Sequence, residues 1–136
     1  MKLVTTLILA ATLTSCASVG TTHYGQFDGS RAKASHMDEY EVTVVAIDGM
    51  MQFDGASIVN LKPGPHLLQV ASKKKGRRGE VYFQALPLRV EPCKRYSYVA
   101  RHPKSLKADS WELVAKDASP IAGCMPASSA SAPANS

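Results

Sequence analysis

The chain has 136 residues, with 16 Lys and Arg against 11 Asp and Glu, for a formal net charge of +5. That length argues against a multidomain chain. No apolar run approaches the roughly 20 residues needed to span a bilayer, which excludes a permanent transmembrane helix.

The N-terminus begins with one positive charge, Lys2, followed by the uncharged run Leu3 to Leu13, LVTTLILAATL. These 11 residues would reach only about 16 Å as a helix. A basic start, a short apolar run and small residues after it describe a cleaved secretory signal, residues 1–15. The run ends Leu13-Thr14-Ser15-Cys16, which resembles the lipobox of bacterial lipoproteins. The resemblance implies a diacylglyceryl group (palmitate-type chains) on the Cys16 thiol and cleavage before it by signal peptidase II. The alternative is an ordinary secreted chain with a chance cysteine. Stable anchoring takes more than one acyl chain, and a lipoprotein cysteine carries two or three. Residue 17 is Ala, not the Asp that retains many lipoproteins in the inner membrane. The resemblance therefore points to the outer membrane, facing the periplasm. Losing Lys2 leaves 15 bases against 11 acids in the mature chain, so the net charge falls to +4.

Residues 16–37 are rich in Ser, Thr, Gly and Ala and are expected to form a flexible tether. Its 21 residues after Cys16 would span about 25 Å. Strand-like runs follow over 38–124. The first is Glu41 to Asp48, dense in β-branched residues, and Asp48-Gly49 marks a turn. The second is Ala56 to Leu61, ended by the breaker Lys62-Pro63-Gly64-Pro65. His66 to Ser72 is the third, and a polar link, Lys73 to Gly79, comes next. The fourth, Val81 to Glu91, contains Pro87, which has no amide to donate and so suggests an edge strand or a bulge. Arg95 to Arg101 and Ser110 to Lys116 complete the set. The tail, 125–136, has no bulky apolar group after Met125 and is expected to stay disordered.

Short strands with turn signals and no sustained helical period predict an all-β domain: a small antiparallel β-sandwich of about six to seven strands. Alternation places Leu68 with Val70, Tyr96 with Tyr98, and Trp111 with Leu113 on shared faces. A domain this small needs its aromatic side chains for the core.

Ile47-Asp48-Gly49, Gly55, and Leu61-Lys62-Pro63-Gly64-Pro65-His66-Leu67-Leu68-Gln69-Val70 together resemble a PEGA-type module, and Arg95-Tyr96-Ser97-Tyr98 is similar to its later strand start. The resemblance implies a prealbumin-like β-sandwich of the cell envelope without catalytic residues. Cys93 departs from it, because a glycine is commoner before Lys94-Arg95. Independently of any family, Asp48-Gly49 supplies positive φ, and Pro63-Gly64 fixes and then releases the chain.

Setting Cys16 aside leaves Cys93 and Cys124, which in an oxidising compartment are expected to pair. A hairpin of 95–101 with 110–116 would bring them together; a buried free thiol is the alternative. The histidines at 23, 36, 66 and 102 show no metal-ligand spacing, so neither metal nor cofactor is expected. His66 is expected to face inward with Leu68. The acidic cluster Asp38, Glu39 and Glu41 reads as a solvated strand start. No nucleophile elbow or phosphate loop is present, and no enzymatic activity is expected. Lys73, Lys74, Lys75, Arg77 and Arg78 form the candidate anion-binding loop; a soluble, edge-protecting hairpin tip is the alternative. Nucleic acid is not an expected partner of an exported chain. The expected function is a non-catalytic envelope lipoprotein, held by lipid on Cys16, that contacts a protein or cell-wall partner. The alternative is an anionic surface binder (lipid, lipopolysaccharide or wall polymer) acting through 73–78.

Overall fold

The structure is a computed structural model that describes residues 23–103 and 111–124. The expected signal segment, Cys16 and the tail lie outside the described residues. Among the described residues nine strands occur in chain order: β1 Gly25–Asp28, β2 Glu39–Tyr40, β3 Val42–Ile47, β4 Met50–Met51, β5 Ile58–Leu61, β6 Gly64–Ser72, β7 Phe83–Val90, β8 Lys94–Arg101 and β9 Glu112–Pro120. One 3₁₀ turn, Arg31–Lys33, lies between β1 and β2, and the described residues contain no α-helix.

Two sheets face each other, as the strand pattern predicts. One is ordered β4-β3-β6-β7 and is antiparallel throughout. The other is built on β8, which pairs with β9 along one side and with β1 and then β2 along the other; β5 closes it outside β1. The β1–β8 pair is parallel, so the sandwich is antiparallel except there. The core between the sheets holds Phe27, Val42, Val44, Leu61, Leu68, Val70, Leu88, Val90, Ala100 and Trp111. Leu68 and Val70 are fully buried. Leu113 packs against the same core as Trp111, and Tyr96 and Tyr98 line its margin.

The Asp48-Gly49 turn forms as its residues require. Asp48 has φ 50 and Gly49 φ 83, and Ile47 pairs with Met50 across two residues. Positive φ at both central positions gives a hairpin the twist of its strands. Val45 is an extra residue, since the register against β6 shifts between Val44 and Ala46. Val44 therefore faces the core, whereas Ala46 lies in one row with Gln69 and Ala85 on the outer face.

Pro87 lies on an edge strand, β7. Its partner Leu67 directs its own amide and carbonyl toward Asp48. The Leu67–Pro87 pair thus exchanges no hydrogen bonds, and the nitrogen of Pro87 points to the free edge. The missing N–H removes a donor from that edge rather than from the ladder.

The tether expected over 16–37 is too long. Gly25–Asp28 is a strand held between β5 and β8, and Phe27 is wholly buried against Tyr98, their rings 5.6 Å apart. The folded unit therefore includes residues well upstream of 38. The glycines at either end of β1 allow this approach: a Cβ on Gly25 would meet the Val90 side chain and the Glu91 carbonyl, and one on Gly29 the Val42 carbonyl.

Candidate functional site

The strand directions give the sandwich two poles. At one pole lie Tyr24, Lys62, Gly64, the Asp48–Gly49 turn, Cys93 and Cys124. Cys93 N–H donates to Tyr24 O at 3.1 Å, Gly64 pairs with Val90, and Cys93 and Cys124 are joined by a disulfide across a sequence separation of 31. At the other pole lie the β6–β7 connection, Glu39, Tyr40, Arg101, His102 and Trp111. Strand β6, nine residues long, separates the two by about 27 Å.

The candidate basic residues Lys73, Lys74, Lys75, Arg77 and Arg78 form the tip of the β6–β7 hairpin and are all exposed. Backbone bonds from Gly76 N to Glu80 O (3.0 Å) and from Gly79 N to Gly76 O (3.1 Å) shape it. Two of the five charges are already engaged. Lys73 pairs with Glu41 at 3.1 Å, and Lys74 lies 4.9 Å above the Tyr40 ring. No ion pair among the described residues involves Lys75, Arg77 or Arg78, so their charge is available to an outside anion.

Beneath the tip, Ser72 and His102 form a buried pair, Oγ to Nε2 at 2.6 Å. Ser72 Oγ accepts from Lys74 N at 3.2 Å, which leaves the hydroxyl hydrogen to be donated to a neutral imidazole. Burial, and then the charge of Lys74, hold the His102 pKa below its usual value. The ring lies between Tyr40 and Trp111. This Ser–His contact is enclosed by aromatic rings and acts as a clasp fastening the tip to the core.

The acidic cluster is not a solvated strand start. Glu39 is completely buried. Its carboxylate accepts from Arg101 Nη2 and Lys116 Nζ, each at 2.9 Å, and from the amides of Ser35 (2.7 Å) and His36 (3.2 Å). Lys116 above all, with those amides and Arg101, holds its pKa far below the usual carboxylate range despite burial. The reason is topological: Glu39, Arg101 and Lys116 lie on adjacent strands of one sheet, β2, β8 and β9.

The Asp-Gly turn and the Pro-Gly-Pro-His segment are joined by a second clasp. His66 Nδ1 meets Asp48 Oδ2 at 2.6 Å, His66 Nε2 meets the Lys62 carbonyl at 2.7 Å, and Asp48 Oδ1 accepts from Leu67 N at 2.8 Å. Both ring nitrogens face acceptors, so the protonated ring satisfies both. Burial pushes the His66 pKa down, but the bonds to Asp48 and Lys62 outweigh it and the net direction is up. The folded chain thus binds that proton more tightly than the unfolded chain does. His66 adds stability that is complete below about pH 6.5 and is lost as pH rises through its folded pKa. His102, with its depressed pKa, adds stability that is present above about pH 6.5 and is lost as pH falls through its folded pKa. Urea unfolding between about pH 5 and 8.5 should therefore give a stability maximum near neutrality. His66→Gln should flatten the alkaline limb and His102→Gln the acid limb.

The outer face of the β4-β3-β6-β7 sheet is apolar. Leu67, Phe83 and Met51 are each more than half exposed, Ala85 and Pro87 lie among them, and Phe53 just beyond β4 is 93% exposed. A shallow groove of about 270 Å³ runs between Ala46, Gly49, Leu67, Gln69 and Ala85. Alternation places Leu68, Val70 and Trp111 in the core but does not reveal this face, where a bulge at Val45 shifts which residues of β3 point outward.

One further grouping escaped the sequence. The His23 ring lies beside the disulfide, with Nδ1 3.8 Å from Cys124 Sγ. His23 and Cys124 are 101 residues apart, so no linear spacing could show it.

The fold and these features define the class: a disulfide-bonded, two-sheet all-β domain with a basic tip at one pole and its described chain ends at the other. Compared with protein-family models, with curated proteins and with solved structures, the chain finds no match in any of the three.

Proposed function

We propose that this is a non-catalytic envelope lipoprotein, a PEGA-like module anchored through lipid on Cys16, that holds a protein partner against the apolar outer face of the β4-β3-β6-β7 sheet. The observation that carries the reading is that face, with Met51, Leu67 and Phe83 exposed in one antiparallel sheet. Exposed apolar surface of this kind marks an interaction site. Pro87 removes a donor from the neighbouring edge, which favours contact through side chains over strand addition.

The poles supply the orientation. Cys16 to Thr22 is seven residues, a reach of at most about 25 Å, and the described chain begins at the pole opposite the basic tip. A lipid on Cys16 thus holds the disulfide pole toward its own membrane and directs the tip away from it. For that reason the second reading, anion binding through Lys75, Arg77 and Arg78, is best met by an acidic wall polymer or an opposing surface rather than by the leaflet that carries the anchor.

Crosslinking the tagged full-length protein in intact cells tests both. Leu67→Asp with Phe83→Asp should abolish capture of a discrete protein, and capture should persist from about 50 to 500 mM salt, since apolar contacts are not screened. If capture instead fails in a variant with Lys75, Arg77 and Arg78 changed to Ser and weakens steeply with salt, the tip is the site. If a Cys16→Ala protein is still acylated, the anchor reading fails.

A further inference from the structure

We propose that, when the Cys93–Cys124 disulfide is reduced, its two thiolates and the His23 imidazole bind a thiophilic d¹⁰ cation, with Zn²⁺ the natural occupant. The three donor atoms already lie within 4.8 Å of one another. Tetrahedral zinc, with bonds of about 2.3 Å to sulfur and 2.0–2.1 Å to nitrogen, sets sulfur and nitrogen about 3.6 Å apart and two sulfurs about 3.8 Å apart. The His23 Nδ1 to Cys124 Sγ distance, 3.8 Å, is close to the first of these before any rearrangement. The two sulfurs must separate as the bond breaks, and the His23 nitrogen and Cys93 Sγ, within 4.8 Å of each other, must come to the same spacing as His23 and Cys124. Cys124 is placed to move, because it follows the end of β9 and lies outside the strand ladder, in a turn where its amide donates to Ile121 O. Cys93 is fixed from both sides, its amide donating to Tyr24 O and its carbonyl accepting from Ile121 N at 2.8 Å.

The donor set selects the cation. Two thiolates and one imidazole, with no carboxylate among them, suit zinc or copper(I) and disfavour calcium and magnesium. Three protein ligands leave a fourth position for water or a ligand from outside. The redox step balances with a dithiol as the reductant. The dithiol gives two electrons and two protons to the Cys93–Cys124 bond and leaves as its own disulfide; two thiols form, and Zn²⁺ displaces both of their protons as it binds. The pole that faces the membrane would thereby exchange a covalent staple for a metal staple, each closing the same chain ends.

The test uses the full chain carrying Cys16→Ser, so that only the two thiols of the site remain. The protein is reduced with a dithiol, freed of it without oxygen and titrated with Co²⁺. The expected result is one equivalent bound with a thiolate-to-cobalt charge-transfer band, bleached by Zn²⁺, and no band in the oxidised protein. His23→Ala should weaken binding by tenfold or more. Far-UV circular dichroism is followed throughout. If the reduced chain has lost its strand signal, its recovery on adding Zn²⁺ supports the site, and failure to recover overturns it. A folded, reduced protein without the band overturns it, as does a band that His23→Ala leaves unchanged in affinity.

Discussion

Replacing Phe27 with alanine should destabilise the domain by about 3–5 kcal/mol, the range for removing a buried aromatic ring from a packed core. The ring is fully buried and stacked on Tyr98 at 5.6 Å. Its strand is interior to the sheet, with β5 on one side and β8 on the other. A cavity there is lined from both sheets, so it cannot be relieved by a local shift of an edge. Urea unfolding followed by circular dichroism measures the loss. A change under about 1 kcal/mol, the size seen at surface positions, would mean that Gly25–Asp28 is not part of the cooperative unit.

Removing the disulfide should cost nearly as much. Cross-linking residues at a separation of 31 restricts the unfolded chain by about 3–4 kcal/mol in the loop-entropy account. The bridge also ties the end of β9, an edge strand, to the turn before β8. Cys93 has φ 60, a left-handed conformation that costs a residue with a Cβ about 1–2 kcal/mol. This separates two double variants. Cys93→Ala with Cys124→Ala should lose the full amount, whereas Cys93→Gly with Cys124→Ala should recover about 1 kcal/mol of it. Urea midpoints for the two, with oxidised and reduced wild-type chains alongside, check both the loss and the recovery. Equal stability of the two variants would show that the backbone at 93 relaxes once the bridge is gone.

The parts of the fold that could be read from the chain share a cause: their signals are local. The β-branched run at 41–48, the Asp48-Gly49 turn and Pro87 each act on the residues beside them, and each appears where it was expected. The disulfide could also be anticipated, because a single hairpin brings its two cysteines together. Strand β1 could not. Gly25–Asp28 offers one bulky apolar side chain in four residues, and what makes it a strand is space left by two glycines against distant parts of the chain. Glu39 misled for the same reason, since a carboxylate reads as solvated until Arg101 and Lys116, 62 and 77 residues away, close around it. The basic tip was legible as a charge run, but its position at the pole opposite the described chain ends depends on which pole β1 enters, and no local pattern encodes that.

The meeting of the described chain ends has a consequence for rearranging the protein. His23 and Cys124 are in near contact, while the β6–β7 tip is an exposed turn at the opposite pole. A circular permutant that joins the ends and opens the chain between Gly76 and Gly79 would preserve every strand pairing, because only connections change and no ladder is cut. Its new terminus would emerge beside Lys75 and Arg77, so any group attached there would sit at the basic pole instead of the disulfide pole. Connectivity alone thus decides which pole of an otherwise unchanged sandwich lies beside the chain ends.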